Sequence, residues 1–150
     1  MTTHENQWLH KGEPFTSEMI GDYVGFVYLI EDITNNKKYV GKKLFKSKTK
    51  LPPLKGKTRK RTVIKESDWK SYSGSNELLK SLVESLGREM FTHEILHLCK
   101  SKGELSYMEL FEQVKRGVLM SDEYYNGIIQ VKIHSSHVKN INHDDLDFNT

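Results

Sequence analysis

Residues Gly25–Lys43 read GFVYLIEDITNNKKYVGKK, and the fold turns on how this stretch is understood. Two apolar runs, Val24 to Ile30 and Tyr39 to Val40, flank Thr34-Asn35-Asn36. The Asn pair suits the positive φ values of a tight hairpin turn, so a β-hairpin is expected over 24–41. Each strand carries a tyrosine, Tyr28 and Tyr39, and the second strand runs into Gly41-Lys42-Lys43.

Outward from the hairpin, the chain divides into an expected loosely docked arm (1–22), one domain (23–133) and a polar tail (134–150) that lacks a core-forming pattern and is expected to fray. A basic insertion follows the hairpin at about 44–68 and is expected to be a loop with a short structured piece at Thr62 to Trp69. From Lys42 to Lys65 it holds many Lys and Arg and no acid, while Pro52-Pro53 and Gly56 argue against a continuous helix. Asn76 is an expected N-cap for a helix whose Leu78, Leu79, Leu82, Val83 and Leu86 recur at helical spacing before Gly87. Phe91 to Leu98 reads as a strand. Ser101 and Glu104 fit a capping box for a second helix ending near Arg116, and 128–133 reads as a last strand or extended segment. The fold class is therefore α+β, a small central antiparallel sheet flanked by helices.

Composition narrows the function classes. The 150-residue chain has 36% hydrophobic and 29% charged residues, and a net charge of only +3. The charge is nevertheless concentrated in the insertion, which points to a polyanion such as nucleic acid. A single cysteine, Cys99, makes no internal disulfide and favours a reducing cytosol. No apolar run reaches the ~20 residues of a membrane span and the polar start has no signal-peptide core, so an intracellular, cytoplasmic protein without membrane partners is expected.

The ordered set Val27-Tyr28, Tyr39-Val40-Gly41, Glu104 to Glu109 (ELSYME) and Tyr125-Asn126 resembles the GIY-YIG nuclease family, over roughly Gly25 to Asn126. The resemblance extends to stand-alone or homing-type endonucleases of phages and bacteria. It implies hydrolysis of DNA phosphodiester bonds with Mg²⁺ or Mn²⁺ as cofactor and no small-molecule cofactor. Tyr28 or Tyr39 activates or positions the water, Glu109 holds the metal with Glu112 in reserve, and Asn126 orients a neighbouring group or the phosphate. The family usually has an arginine soon after Tyr-x-Gly, where its planar fork binds phosphate. Here that stretch is Lys42-Lys43-Leu44-Phe45-Lys46, so either Lys43 substitutes or the insertion brings back Arg59 or Arg61.

Lys42, Lys46, Arg59, Lys60 and Lys65 are the expected DNA-binding cations, with Trp69 placed to stack on a base or sugar. The missing arginine supports a rival reading, a catalytically inactive nucleic-acid-binding protein on the same scaffold. RNA is a further candidate target. His93 and His97 are expected ~13 Å apart on one strand, too far for a shared metal.

Overall fold

The computed structural model describes residues 7–146. Its strands are β1 (Leu9–His10), β2 (Glu13–Pro14), β3 (Gly25–Asp32), β4 (Lys37–Leu44), β5 (Lys46–Leu51), β6 (Arg61–Glu66) and β7 (Phe91–Cys99). The helices are α1 (Glu77–Leu86) and α2 (Lys102–Lys115). Five strands form one sheet in the order β2-β1-β7-β3-β4, and β5 pairs with β6 in a separate ribbon. The α+β class holds, but the sheet is mixed: β1 runs parallel to β7, whereas β7-β3-β4 is antiparallel.

The β3–β4 hairpin spans 25–44, longer than the sequence suggests. Asn36 takes the positive φ of the turn (63°), and Asp32 accepts from the Thr34 backbone N–H at 2.9 Å. Alternation then sorts side chains to two faces. Phe26, Tyr28 and Ile30 join Trp8, Phe15, Phe45, Trp69, Leu79, Phe91 and Ile95 in one core. Val27 and Val40 meet Leu105, Met108 and Phe111 of α2 in the other.

Both N-caps form, Asn76 accepting from Leu79 N–H at 3.0 Å and Ser101 from Glu104 N–H at 3.1 Å, but the expected capping box does not close on Ser101, since the Glu104 carboxylate accepts from the Lys100 N–H at 3.4 Å. In α1 the buried part of the apolar stripe is Leu79, backed by Leu82 and Val83, while Leu78 and Leu86 stay exposed.

Four expectations are corrected. The part of the arm from residue 8 onward is not loosely docked: Trp8 is 1% exposed and donates through Nε1 to the Trp69 carbonyl at 2.7 Å. Residues 1–6 lie outside the described residues. The basic insertion is not a loop, because its alternating segments pair as β5–β6, and Pro52, Pro53 and Gly56 fall in the connection. Residues 128–133 form no strand, which removes one of the two readings of that segment, and Ile128 is exposed. The tail is docked as far as residue 146: two 3-10 turns, Ser135–Val138 and His143–Asp145, place Ile141 and Leu146 against the α2-side core. Residues 147–150 lie outside the described residues.

A bulge in β7 decides the fate of the histidines. Val27 pairs with His97 but Tyr28 pairs with Ile95, leaving Leu96 as the extra residue. The bulge flips the alternation, so His93 faces Trp8 and Ser73 while His97 faces Glu112 of α2. The two rings are on opposite faces of the sheet as well as apart along the strand.

Candidate active site

Strand β4 is an edge strand, and the candidate site is wrapped around it. In the antiparallel register Tyr28 faces Gly41, Ile30 faces Tyr39 and Phe26 faces Lys43. Directly opposed residues share a face, which puts Tyr28, Tyr39 and Lys43 on the Trp8 side. Lys42 points to the α2 side. Because Gly41 has no side chain, the Tyr28 hydroxyl extends over it toward the edge.

The tyrosine side is closed by the segment between Trp69 and Asn76. Tyr72 packs edge-on to Tyr28 with ring centroids 6.0 Å apart, and Tyr28 and Tyr39 lie 6.2 Å apart. Lys43 Nζ sits 4.1 Å over the Tyr72 ring and 2.7 Å from Asp68 Oδ1. The Tyr39 hydroxyl shares a 3.0 Å hydrogen bond with Ser75 Oγ.

This segment is held by a residue that sequence reasoning passed over. Arg88 donates to the carbonyls of Lys70, Ser71 and Tyr72 and to Ser73 Oγ, and burial lowers its pKa to about 10. The only sequence signal was an Arg directly after the helix-ending Gly87. Nothing local to it shows that it folds back on a segment 16 residues earlier.

From the opposite face α2 brings Glu109. The sheet-facing side of this helix is Leu105, Met108 and Glu112, so Glu109 sits at the margin of the buried face, its side chain 17% exposed. Burial raises its pKa, with Lys42, 3.9 Å away, partly offsetting the rise. Lys42 also donates to Ser106 Oγ at 2.8 Å. The Glu109 charge acts on both phenols from across the edge, adding to the burial that raises their pKa values, Tyr28 well above the ordinary 10.

Several expected site residues lie elsewhere. Arg61 starts β6 opposite Leu51, at the far end of the ribbon, and its Nε reaches the Pro52 carbonyl at 3.4 Å. Five residues of strand separate it from the ribbon base, roughly 17 Å, so it does not return to β4; Arg59 and Lys60 lie beyond it in the exposed connection. Lys46 and Lys65 are exposed on the ribbon itself.

Trp69 is no stacking platform: it is 1% exposed, among Phe15, Phe26 and Phe45. Glu112 is committed to His97 at 2.7 Å and Arg116 at 2.9 Å, which removes it as the reserve metal ligand. Burial acts to raise its pKa, but the hydrogen bonds from His97 and Arg116 prevail and hold it below the ordinary value.

Asn126 is also not aimed at a phosphate. It is buried, accepts from the Val40 N–H at 3.0 Å and donates to the Val40 carbonyl at 2.8 Å. Both outward-facing backbone groups between Tyr39 and Gly41 are thus satisfied by one side-chain amide. Neighbouring contacts extend the cover: Lys38 N–H donates to the Glu123 carbonyl and Tyr125 N–H to the Lys38 carbonyl. The role that survives is orientation of β4.

Among the described residues no group of three or more His, Cys, Asp or Glu side chains could hold a metal ion. The donor set at the β4 edge is one half-buried carboxylate and two phenols. That fits only a hard cation that takes its remaining ligands from water and a phosphate, the habit of Mg²⁺.

No helix among the described residues is long and apolar enough to cross a membrane. A family model matches residues 8–129, described as "Putative endonuclease segE, GIY-YIG domain". Neither the curated proteins nor the solved structures give a match.

Proposed function

The chain belongs to the GIY-YIG domain family, a nuclease family, and from that premise we propose that it is a divalent-metal-dependent endonuclease hydrolysing DNA phosphodiester bonds. The observation that carries this reading is the convergence on one strand edge of Tyr28, Tyr39 and Lys43 from one face and Glu109 from the other.

In this reading Glu109 holds one Mg²⁺ or Mn²⁺. When bound, the ion offsets charge on the phosphoryl oxygens and favours loss of a proton from water. Lys43 exchanges exposed Asp68 for a non-bridging phosphate oxygen, filling as a point charge the place where the family has an arginine fork. Tyr28 and Tyr39 orient the water, and one of them, having lost its own proton to solvent, takes the water's proton as the water oxygen bonds to phosphorus and the bond from phosphorus to the leaving sugar oxygen breaks, that oxygen being protonated by solvent. Both phenols are protonated at neutral pH without further positive charge, because burial lifts their pKa values. Arg88 and Asn126 position these groups: Arg88 fixes the Tyr72–Ser73 segment, and Asn126 fixes β4.

Supercoiled plasmid incubated with the protein and Mg²⁺ or Mn²⁺ tests the reading. Nicked or linear product that disappears on chelation is expected. Intact plasmid under every divalent-ion condition, with salt-sensitive binding retained, would instead make the protein a binding module on a nuclease scaffold.

A further inference from the structure

We propose that the β5–β6 ribbon grips the substrate by lying in the major groove of B-form duplex DNA, beside the phosphate to be cut. This rests on the reading of the chain as a DNA-cutting nuclease and adds to it the form of the nucleic acid and the groove engaged.

The register gives the ribbon its chemistry. Lys46, Lys48 and Lys50 alternate along β5, facing Glu66, Ile64 and Thr62, so the three lysines form a row on one face. Lys65 and Arg61, opposite Ser47 and Leu51, stand on the other face. All five cations are exposed, and the connection adds Lys55, Lys57, Arg59 and Lys60. No acidic residue occurs between Lys42 and Lys65. Positive charge on both faces of a thin element suits a ligand that presents anions on two sides.

A groove between two phosphate backbones is such a ligand. Two strands ~4.8 Å apart, with their side chains, match a B-form major groove ~12 Å wide and exceed a minor groove of ~6 Å. Six residue pairs extend the ribbon ~20 Å, about six base pairs at ~3.4 Å each. The major groove of A-form RNA is deep and narrow and would refuse it.

The mounting connects the ribbon to the site. An isolated two-stranded hairpin is marginal in water, and this one is fastened at its base. Ser67 N–H donates to the Phe45 carbonyl at 2.7 Å and Ser67 Oγ to the Leu44 carbonyl at 2.6 Å. Phe45 and Trp69 are buried on either side of the ribbon, and the next contact inward is the Lys43–Asp68 pair. The core therefore fixes the direction in which the ribbon leaves the active-site edge.

The test uses the full chain carrying Glu109→Gln, so that bound DNA stays uncut, with a DNA duplex and an RNA duplex of the same sequence. The DNA should bind at least about tenfold more tightly at physiological salt. At saturation, dimethyl sulfate methylation should fall at guanine N7, in the major groove, and not at adenine N3, in the minor groove. Adding Lys48→Ala, Lys50→Ala, Arg59→Ala and Arg61→Ala should weaken DNA binding about tenfold or more. The salt slope should become shallower by about 0.9 for each phosphate no longer neutralised, and thermal unfolding should not change.

Equal affinity for RNA, protection confined to adenine N3, or ribbon variants that bind like the parent would overturn the assignment. Guanine N7 protection by a chain whose native form cuts no DNA would sink the nuclease reading and leave the ribbon standing. Cutting by the native chain without that protection would do the reverse.

Discussion

Gly41 lies directly across the β3–β4 pair from Tyr28, and the tyrosine ring end fills the space a side chain at 41 would need: a Cβ there would lie 2.6 Å from Tyr28 Cζ. The glycine of the Tyr-Val-Gly motif is thus a passage for a phenol, at a strand position needing no unusual backbone angle. Gly41→Ala should cost about 1–3 kcal/mol of stability through overpacking. Cleavage should fall further, about 100-fold, because the hydroxyl is displaced. Denaturant titration beside single-turnover cleavage measures both, and a stable, fully active variant would refute the passage.

Asn126 replaces a missing neighbour strand for Val40. Asn126→Ala leaves a buried N–H unpaired and its carbonyl with only the long 3.4 Å bond from Gln113. A loss on the order of 2–4 kcal/mol follows from two such groups, read from chemical denaturation. DNA affinity measured below the unfolding transition should stay near the wild-type value; a selective loss of affinity at full stability would restore a phosphate-binding role.

His93 makes stability depend on pH. It is buried beside Trp8 with its pKa pushed down to about 3, by burial first and then by Arg88. Its folded pKa is below the unfolded value of 6.5, so between these values the unfolded chain binds more protons and stability rises with pH. The contribution is complete above about 6.5 and is lost on acidification at up to roughly 1.4 kcal/mol per pH unit. Unfolding free energies measured from about pH 6.5 to about pH 4.5 should fall along this slope, and His93→Gln should flatten it.

Trp69 separates a core role from a stacking role. Trp69→Ala should destabilise the fold by about 3–5 kcal/mol. Trp69→Phe should retain most of the stability and all of the DNA affinity, since the ring is covered by Phe15, Phe26 and Phe45. A base stacked on Trp69 would cost about 1–3 kcal/mol once no aromatic ring remained, so a tenfold loss of affinity in Trp69→Leu, measured below its unfolding transition, would contradict the core assignment.

What was legible in the sequence was local. The hairpin, the two N-caps and the paired tyrosines depend on neighbours within a few residues, and the family motif added Glu109. What was missed depends on contacts far along the chain. Trp8 is buried because Trp69, 61 residues later, accepts its indole hydrogen bond, and two-residue strands leave no periodicity to read. The ribbon was missed because its alternation is of lysine with serine and threonine, without the apolar face that marks a half-buried strand. On α2, Phe111 is buried together with Leu105, Met108 and Glu112 while Val114 is exposed, and the packing of Leu105, Met108 and Phe111 against Val27 and Val40 brings Glu109 to the edge.

The central claim, that one carboxylate and two phenols around the β4 edge form a single metal-dependent site, is tested most directly by Glu109→Gln. Its single-turnover cleavage of bound duplex DNA in Mg²⁺ should be measured with the protein saturating. The site predicts a rate lowered by about 1,000-fold or more, about 4 kcal/mol of transition-state stabilisation, with DNA affinity within about twofold of wild type. Cleavage by Glu109→Gln at the wild-type rate would contradict the claim and move the metal away from this edge.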